Sequence, residues 1–381
     1  MSSNPFRTLR QVPLCLALLV FGAAVAPLRA QDAALPRMTN NAILVGFDGA
    51  HRDHVKALLK AGKLPNLQKL VDAGALVDID VTSGATDTKA GWTQILSGYK
   101  PQTSGVFSNG KFRDLPEGYS VFERLNACFG KTNIATVAVI GKKAHCGEID
   151  APYKIPYDQA GNQIAKEDKA ENSKPQPGAR KGNRGHVVEE GGSKYLVFEG
   201  SPYYTMHKNV NEWLFGLMQD ARVGDKALEM LEKYGRRPFF FFVHFAEVDH
   251  AGHGHGEKSP EYDNAIISGD TQLGRILDKL TELGLREKTL IYATADHGFD
   301  IDRTGHGLAP YVWLATNDRQ VMRNGARADI TPTILSRLGV DAPGLQPALD
   351  GETLTRPATK PPEPVVGPKP KAQRKKADGK P

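Results

Sequence analysis

Three stretches of the chain are apolar at nearly every position, and each runs into an aspartate. They are AILVGFD at 42–48, FFFFVHFAEVD at 239–249 and LIYATAD at 290–296. A continuous apolar run rich in β-branched and aromatic residues predicts a strand buried on both faces. Shorter strands are expected at 75–81, 132–141 and 311–316. Helical spacing of apolar residues marks 51–61, 65–73, 211–234, 261–284 and 328–338. This alternation predicts an α/β fold with a mostly parallel central sheet and helices on both faces. Ligands gather beyond the carboxyl ends of strands in such sheets, so the three terminal aspartates mark one candidate edge.

Two segments break the pattern. Residues 150–200 are rich in Lys, Gly, Asn and Pro and lack apolar periodicity. They predict an insertion over the site, partly loop, with room for a small cap. From 357 to 381 Pro, Lys and Ala dominate, and a disordered tail is expected because nothing there can bury a hydrophobic face. At the other end, Arg7 and Arg10 precede an apolar run from Val12 to Ala26, and Ala30 offers a small residue for cleavage. That is the pattern of a secretory signal. The run is shorter than the ~20 residues that span a bilayer. The expected division is a signal over 1–30, a catalytic domain over 31–356 and the tail. The mature chain is expected to be exported, to the periplasm or beyond, with no transmembrane anchor.

The formal net charge of +6 raises the question of a nucleic-acid partner. Three arginines give +3 to residues 1–30, and the last 25 residues carry +5, which leaves about −2 for the body. The basicity sits at the two ends, so charge makes no case for nucleic-acid binding, and a small molecule is the expected partner. Two cysteines, Cys128 and Cys146, lie outside the signal segment that contains Cys15. In an oxidising compartment they could form one disulfide or stay as separate thiols, and spacing favours neither.

Four segments supply groups of the kind that bind metals. Asp48 ends the first strand. The loop TSGATDTKAGW at 82–92 contains Thr88. Asp249 and His253 stand four apart, and Asp296-His297 is followed by His306. Each alone is a weak signal; their convergence on one sheet edge is the argument. Carboxylates and imidazoles suit zinc first, with manganese or iron also compatible, and three Asp with three His fit two adjacent divalent ions. Such a pair can hold the attacking and leaving oxygens of an in-line displacement and activate a hydroxyl nucleophile. His244, inside an apolar run, reads as a core residue. His51, His54, His250 and His255 lie near ligands and could support them, while His145, His186 and His207 carry no pattern. Lys89, beside Thr88, reads equally as a phosphate contact or a solvated helix position.

Taken together, these motifs resemble the alkaline phosphatase superfamily, particularly its nucleotide pyrophosphatase/type I phosphodiesterase branch. The likeness runs over most of 42–340: NAILVGFDGAHRDHV, TDTKAGWTQILSGYKPQTSGVFSNG, EVDHAGHGHG, TADHGF and ADITPTILSRLGV. The resemblance implies that Thr88 is a nucleophile and metal ligand and that Asn109 binds the oxyanion. It implies one metal held by Asp48, Thr88, Asp296 and His297, and a second by Asp249, His253 and His306. Thr88 would be phosphorylated and then freed by water. His306 follows His297 by only nine residues, whereas the last histidine of that branch lies much further on. Ser104 stands where a histidine often follows in the branch. Sulfatases carry Cys or Ser at the nucleophile and usually a basic residue four later; here Thr88 and Trp92 favour a phosphoryl substrate. A sulfatase-like or phosphomutase-like member and a non-catalytic binding protein with this fold are the alternatives, the mutase disfavoured by the signal segment. The choice between monoester and diester, the metal and the oligomeric state are left open.

Overall fold

A computed structural model describes residues 41–157 and 185–366. Residues 1–40, which include the expected signal, and residues 367–381 lie outside them. In chain order the central elements begin with β1 (Asn41–Phe47), α1 (Arg52–Lys60), α2 (Pro65–Ala73) and β2 (Ala75–Asp80). Next come α3 (Thr88–Ser97), α4 (Pro101–Ser104), α5 (Val121–Phe129) and β3 (Ala135–Ile140). The insertion holds β4 (Tyr153–Pro156), β5 (His186–Glu190) and β6 (Ser193–Phe198). Then follow α6 (Tyr204–His207), β7 (Glu212–Phe215), α7 (Asp220–Tyr234), β8 (Phe239–Phe245), α8 (Glu247–His255) and α9 (Pro260–Glu282). The chain closes with β9 (Thr289–Thr294), β10 (Tyr311–Thr316), β11 (Gly325–Ala326) and α10 (Ile330–Arg337).

The central sheet runs β11-β2-β10-β9-β1-β8-β3-β7. The block from β9 to β7 is parallel, and β10 is antiparallel to both its neighbours. Every residue of β1, β3, β8 and β9 is buried, which is why their sequences read as unbroken apolar runs. Successive strand residues point to opposite faces. A Cβ on Gly46 would collide with Trp92 of α3, while the Phe47 ring fills the space left by Gly269 of α9. Helices α3 and α9 therefore cover opposite faces, as the sequence predicts. Among the described residues no helix is long and apolar enough to cross a membrane.

Several expectations need correction. The run at 239–249 is not one strand ending in Asp249: β8 stops at Phe245, and Asp249 lies in the first turn of α8. The periodicity at 211–234 hides a short strand, β7, ahead of a helix that begins only at Asp220. The described part of the 150–200 insertion, expected as partly loop, contains a three-stranded antiparallel sheet, β4-β6-β5; residues 158–184 lie outside the description. The start of the tail is docked. Glu363 pairs with Lys100 and accepts from Thr82, and the Val366 N–H donates to the Val81 carbonyl at 2.8 Å. Cys128 is exposed and Cys146 buried, and both are free thiols.

Candidate functional site

The site grows from the strand register. Ile140 of β3, His244 of β8, Gly46 of β1 and Thr294 of β9 lie in one row across the sheet. Two residues beyond that row stand Lys142, Asp48 and Asp296, at the carboxyl edge where ligands gather in open α/β sheets. Thr88 arrives from the side, as the first residue of α3. Its predecessor Asp87 caps the helix, accepting from Ala90 N at 3.2 Å and from Asn109 N at 2.8 Å. The Asn109 side-chain oxygen accepts from the Lys89 N–H at 2.9 Å. Arg327, fully buried, donates to the carbonyls of Ser83 and Asp296 at 2.7 and 3.0 Å and so ties the Thr88 loop to the end of β9.

The two oxygens of Asp48 have different partners. His244 Nε2 and Trp92 Nε1 both donate to its Oδ2, at 2.8 and 3.2 Å. Its Oδ1 faces inward, 2.8 Å from the Lys142 ammonium. Lys142 also lies 2.7 Å from Asp249 Oδ2 and 3.0 Å from Thr88 Oγ1. Burial would lower the Lys142 pKa, but Asp48, Asp249 and Asp296 outweigh it and hold the ammonium above the ordinary lysine value. Burial would raise Asp48, and the nearby Lys142 and His244 hold it well below the usual carboxylate range. Burial and the charge of Asp48 push Asp296 the other way, well above that range.

The three imidazoles share one arrangement. His297 Nδ1 faces the Gly298 carbonyl at 2.9 Å, His253 Nδ1 faces that of Thr304 at 2.8 Å, and His306 Nδ1 faces that of Thr86 at 2.5 Å. A carbonyl can only accept, so each Nδ1 carries the proton and each Nε2 presents a lone pair. Those lone pairs point at carboxylates. His253 Nε2 is 3.5 Å from Asp249 Oδ1, and His297 Nε2 is 3.5 to 3.8 Å from oxygens of Asp296, Asp48 and Asp249. His297 Nε2, Asp296 Oδ2 and Asp249 Oδ1 are buried without a hydrogen-bond partner. Burial lowers His297, and burial with the neighbouring His297 lowers His306 to about 4. Lone pairs facing carboxylate oxygens repel unless a cation lies between them, so the donor set fits divalent metal ions. Among the described residues two groups are close enough to hold one: Asp249, His253 and His306, and Asp48, Asp249 and His297. Asp249 is common to both.

The sequence missed two members of this site. His244 is not a bystander of the core but the clamp on Asp48. Lys142 belongs to the site as well, and a lysine two residues past the end of a fully buried strand was the signal for it. Lys89 is neither solvated nor free: its ammonium is 2.5 Å from Glu148 and sits over the Phe112 ring. Among the other histidines, His51 caps α1, His54 pairs with Glu257 and Asp263, and His250 and His255 are exposed.

A family model described as type I phosphodiesterase / nucleotide pyrophosphatase matches residues 42–342. Over 93 residues, 22% of this chain, the sequence is 36% identical to a steryl-sulfatase of Mus musculus. Over 107 residues, 28% of this chain, it is 31% identical to ectonucleotide pyrophosphatase/phosphodiesterase family member 1 of Rattus norvegicus. These matches cover only 14% and 10% of the two relatives. The phosphonate monoester hydrolase of Agrobacterium radiobacter superposes with a TM-score of 0.50 at 16% identity, over 82% of this chain and 76% of that one, a likeness of fold. The family match, a mostly parallel sheet of this order and a cluster of carboxylates and imidazoles at its carboxyl edge agree: the chain belongs to the type I phosphodiesterase/nucleotide pyrophosphatase family of the alkaline phosphatase superfamily, whose members act with divalent metals on phosphate or sulfate esters.

Proposed function

We propose that this protein is an exported, metal-dependent phosphoric ester hydrolase that works through a phosphothreonine at Thr88. The observation that carries the reading is the set of imidazole Nε2 lone pairs trained on shared carboxylates beside a buried threonine hydroxyl at a helix N-terminus. Asp48, Thr88, Asp296 and His297 would hold one ion and Asp249, His253 and His306 the other, with Asp249 within reach of both. The ions supply Lewis acidity, which lets a hydroxyl as weakly acidic as threonine's act as a nucleophile near neutral pH.

The protein groups then divide the work. Thr88 Oγ displaces the alcohol from phosphorus, and the hydroxyl proton leaves with the departing alkoxide. Water displaces Thr88 in turn, releasing phosphate and returning the proton to Oγ. The Asn109 amide N–H groups would stabilise charge on the non-bridging oxygens, and the positive end of the α3 dipole would add to this. His244 and Trp92 keep Asp48 turned so that its Oδ1 stays inward.

Threonine also argues for phosphate over sulfate. The formylglycine of sulfatases arises by oxidation of Cys or Ser to an aldehyde, which the β-methyl of threonine prevents. The likeness to a steryl-sulfatase is read as common ancestry of the fold. The apolar run after Arg7 and Arg10 supports export, and N-terminal sequencing of the secreted protein should begin near residue 31. Purified protein of defined metal content should be compared on aryl phosphate, aryl phosphodiester and aryl sulfate. Hydrolysis of a phosphate ester that stops on chelation is expected. Turnover of aryl sulfate alone, or activity indifferent to chelation, would overturn the reading.

A further inference from the structure

Lys142 stands where a metal is expected. Its ammonium contacts Asp48 Oδ1, Asp249 Oδ2 and Thr88 Oγ1 at 2.8, 2.7 and 3.0 Å. Two of these, Asp48 Oδ1 and Thr88 Oγ1, are oxygens that the ion on the Asp48 side would need, with His297 Nε2 and Asp296 Oδ2 completing the shell; the third belongs to Asp249, which lies within reach of both ions. An ammonium and a divalent ion cannot share that box, because both require the same lone pairs and they repel at contact distance. The other cluster is different. Lys142 takes only Oδ2 of Asp249; Oδ1 has no hydrogen-bond partner and lies 3.5 Å from His253 Nε2. The two halves of the centre thus face an incoming cation unequally.

We infer that Lys142 is a built-in competitor for the metal on the Asp48 side: its ammonium fills the Asp48–Asp249–Thr88 box, and an ion enters only when the side chain swings out. The inference rests on the metal-dependent reading above. It makes loading ordered. The Asp249–His253–His306 position fills first and tightly. The Asp48 position fills weakly, because the ion must displace a buried ion pair with two carboxylates. Lysine suits the role, being a point charge on a flexible unbranched stem rather than a rigid fork.

The test needs no turnover. Chelator-stripped full-length protein is titrated with zinc by calorimetry, with bound metal counted by elemental analysis after dialysis. Wild type should show two unequal sites. His253→Ala should abolish the tight one and spare the weak one. Lys142→Met should tighten the weak site on the order of a hundredfold, since it leaves buried carboxylates uncompensated until the ion arrives. Lys142→Arg, which keeps the charge, should leave that site weak. If the methionine variant does not fold, Lys142→Gln carries the comparison. Two equally tight sites in wild type, or a weak site unmoved by loss of the ammonium, would overturn the competition alone. Absence of zinc binding in wild type and variants alike would overturn the metal-dependent function itself.

Discussion

The side-chain oxygen of Asn109 accepts the backbone N–H of Lys89, the residue next to Thr88, at 2.9 Å. That bond fixes which end of the amide is which: the oxygen is committed to α3, so the NH2 group is left free to donate to a substrate oxygen. Asn109→Ala and Asn109→Asp should both lose that donor while the fold persists. A fall in kcat of roughly a hundred- to a thousandfold is expected for each, the range for one oxyanion donor. Steady-state kinetics of the two variants check this, and a KM effect with kcat intact would refute it.

Thr88 is almost fully buried and is the first residue of α3. Thr88→Ala should retain bound metal and lose on the order of a thousandfold or more in turnover. Thr88→Ser keeps the attacking oxygen and should keep measurable activity. Acid quenching during turnover, followed by mass spectrometry, should find a phosphoryl group on the peptide bearing Thr88.

Asp220 supports the helix that carries Asp249 and His253. Its Oδ1 accepts from the N–H groups of Ala246 and Glu247, and its carboxyl is fully buried. Burial and the neighbouring Glu247 push its pKa up to about 8. The unfolded chain titrates this group near ~4, so the folded state binds the proton more tightly. The stabilisation is therefore complete below about pH 4 and is lost as pH rises through about 8. Asp220→Asn keeps the acceptor without the charge. Its melting temperature relative to wild type should rise between pH 5 and pH 9, and a pH-independent difference would show that Asp220 is not the titrating group.

The docked start of the tail separates two truncations. Removing residues 367–381 should leave the melting temperature unchanged. Removing 357–381 also deletes the Glu363 contacts with Lys100 and Thr82 and the Val366–Val81 hydrogen bond. It should cost about 1–2 kcal/mol in a denaturant titration, as partly exposed hydrogen bonds and ion pairs are each modest.

Much of this site is local to the sequence. Strands β1, β8 and β9 are covered on both faces, so their residues must be apolar almost without interruption, and Asp48 and Asp296 stand out at their ends. The spacing of Asp249 and His253 is one turn of helix, which puts them on one face whatever surrounds them. What the sequence could not supply is register across the sheet. Lys142 follows β3, which sits beside β8 rather than β1, and nothing near it in sequence shows that its ammonium meets carboxylates from two other segments. His244 reads as core because burial and apolarity are usually the same; only pairing with β1 places its ring against Asp48. The continuation of β8 into FAEVD is equally compatible with more strand, and the helix that begins there is set by Asp220, which accepts from the N–H groups of Ala246 and Glu247 from elsewhere in the fold. Residue chemistry is written position by position, but which charge meets which is decided by strand pairing, because a buried ion is stabilised only by partners that the fold brings within a few ångströms.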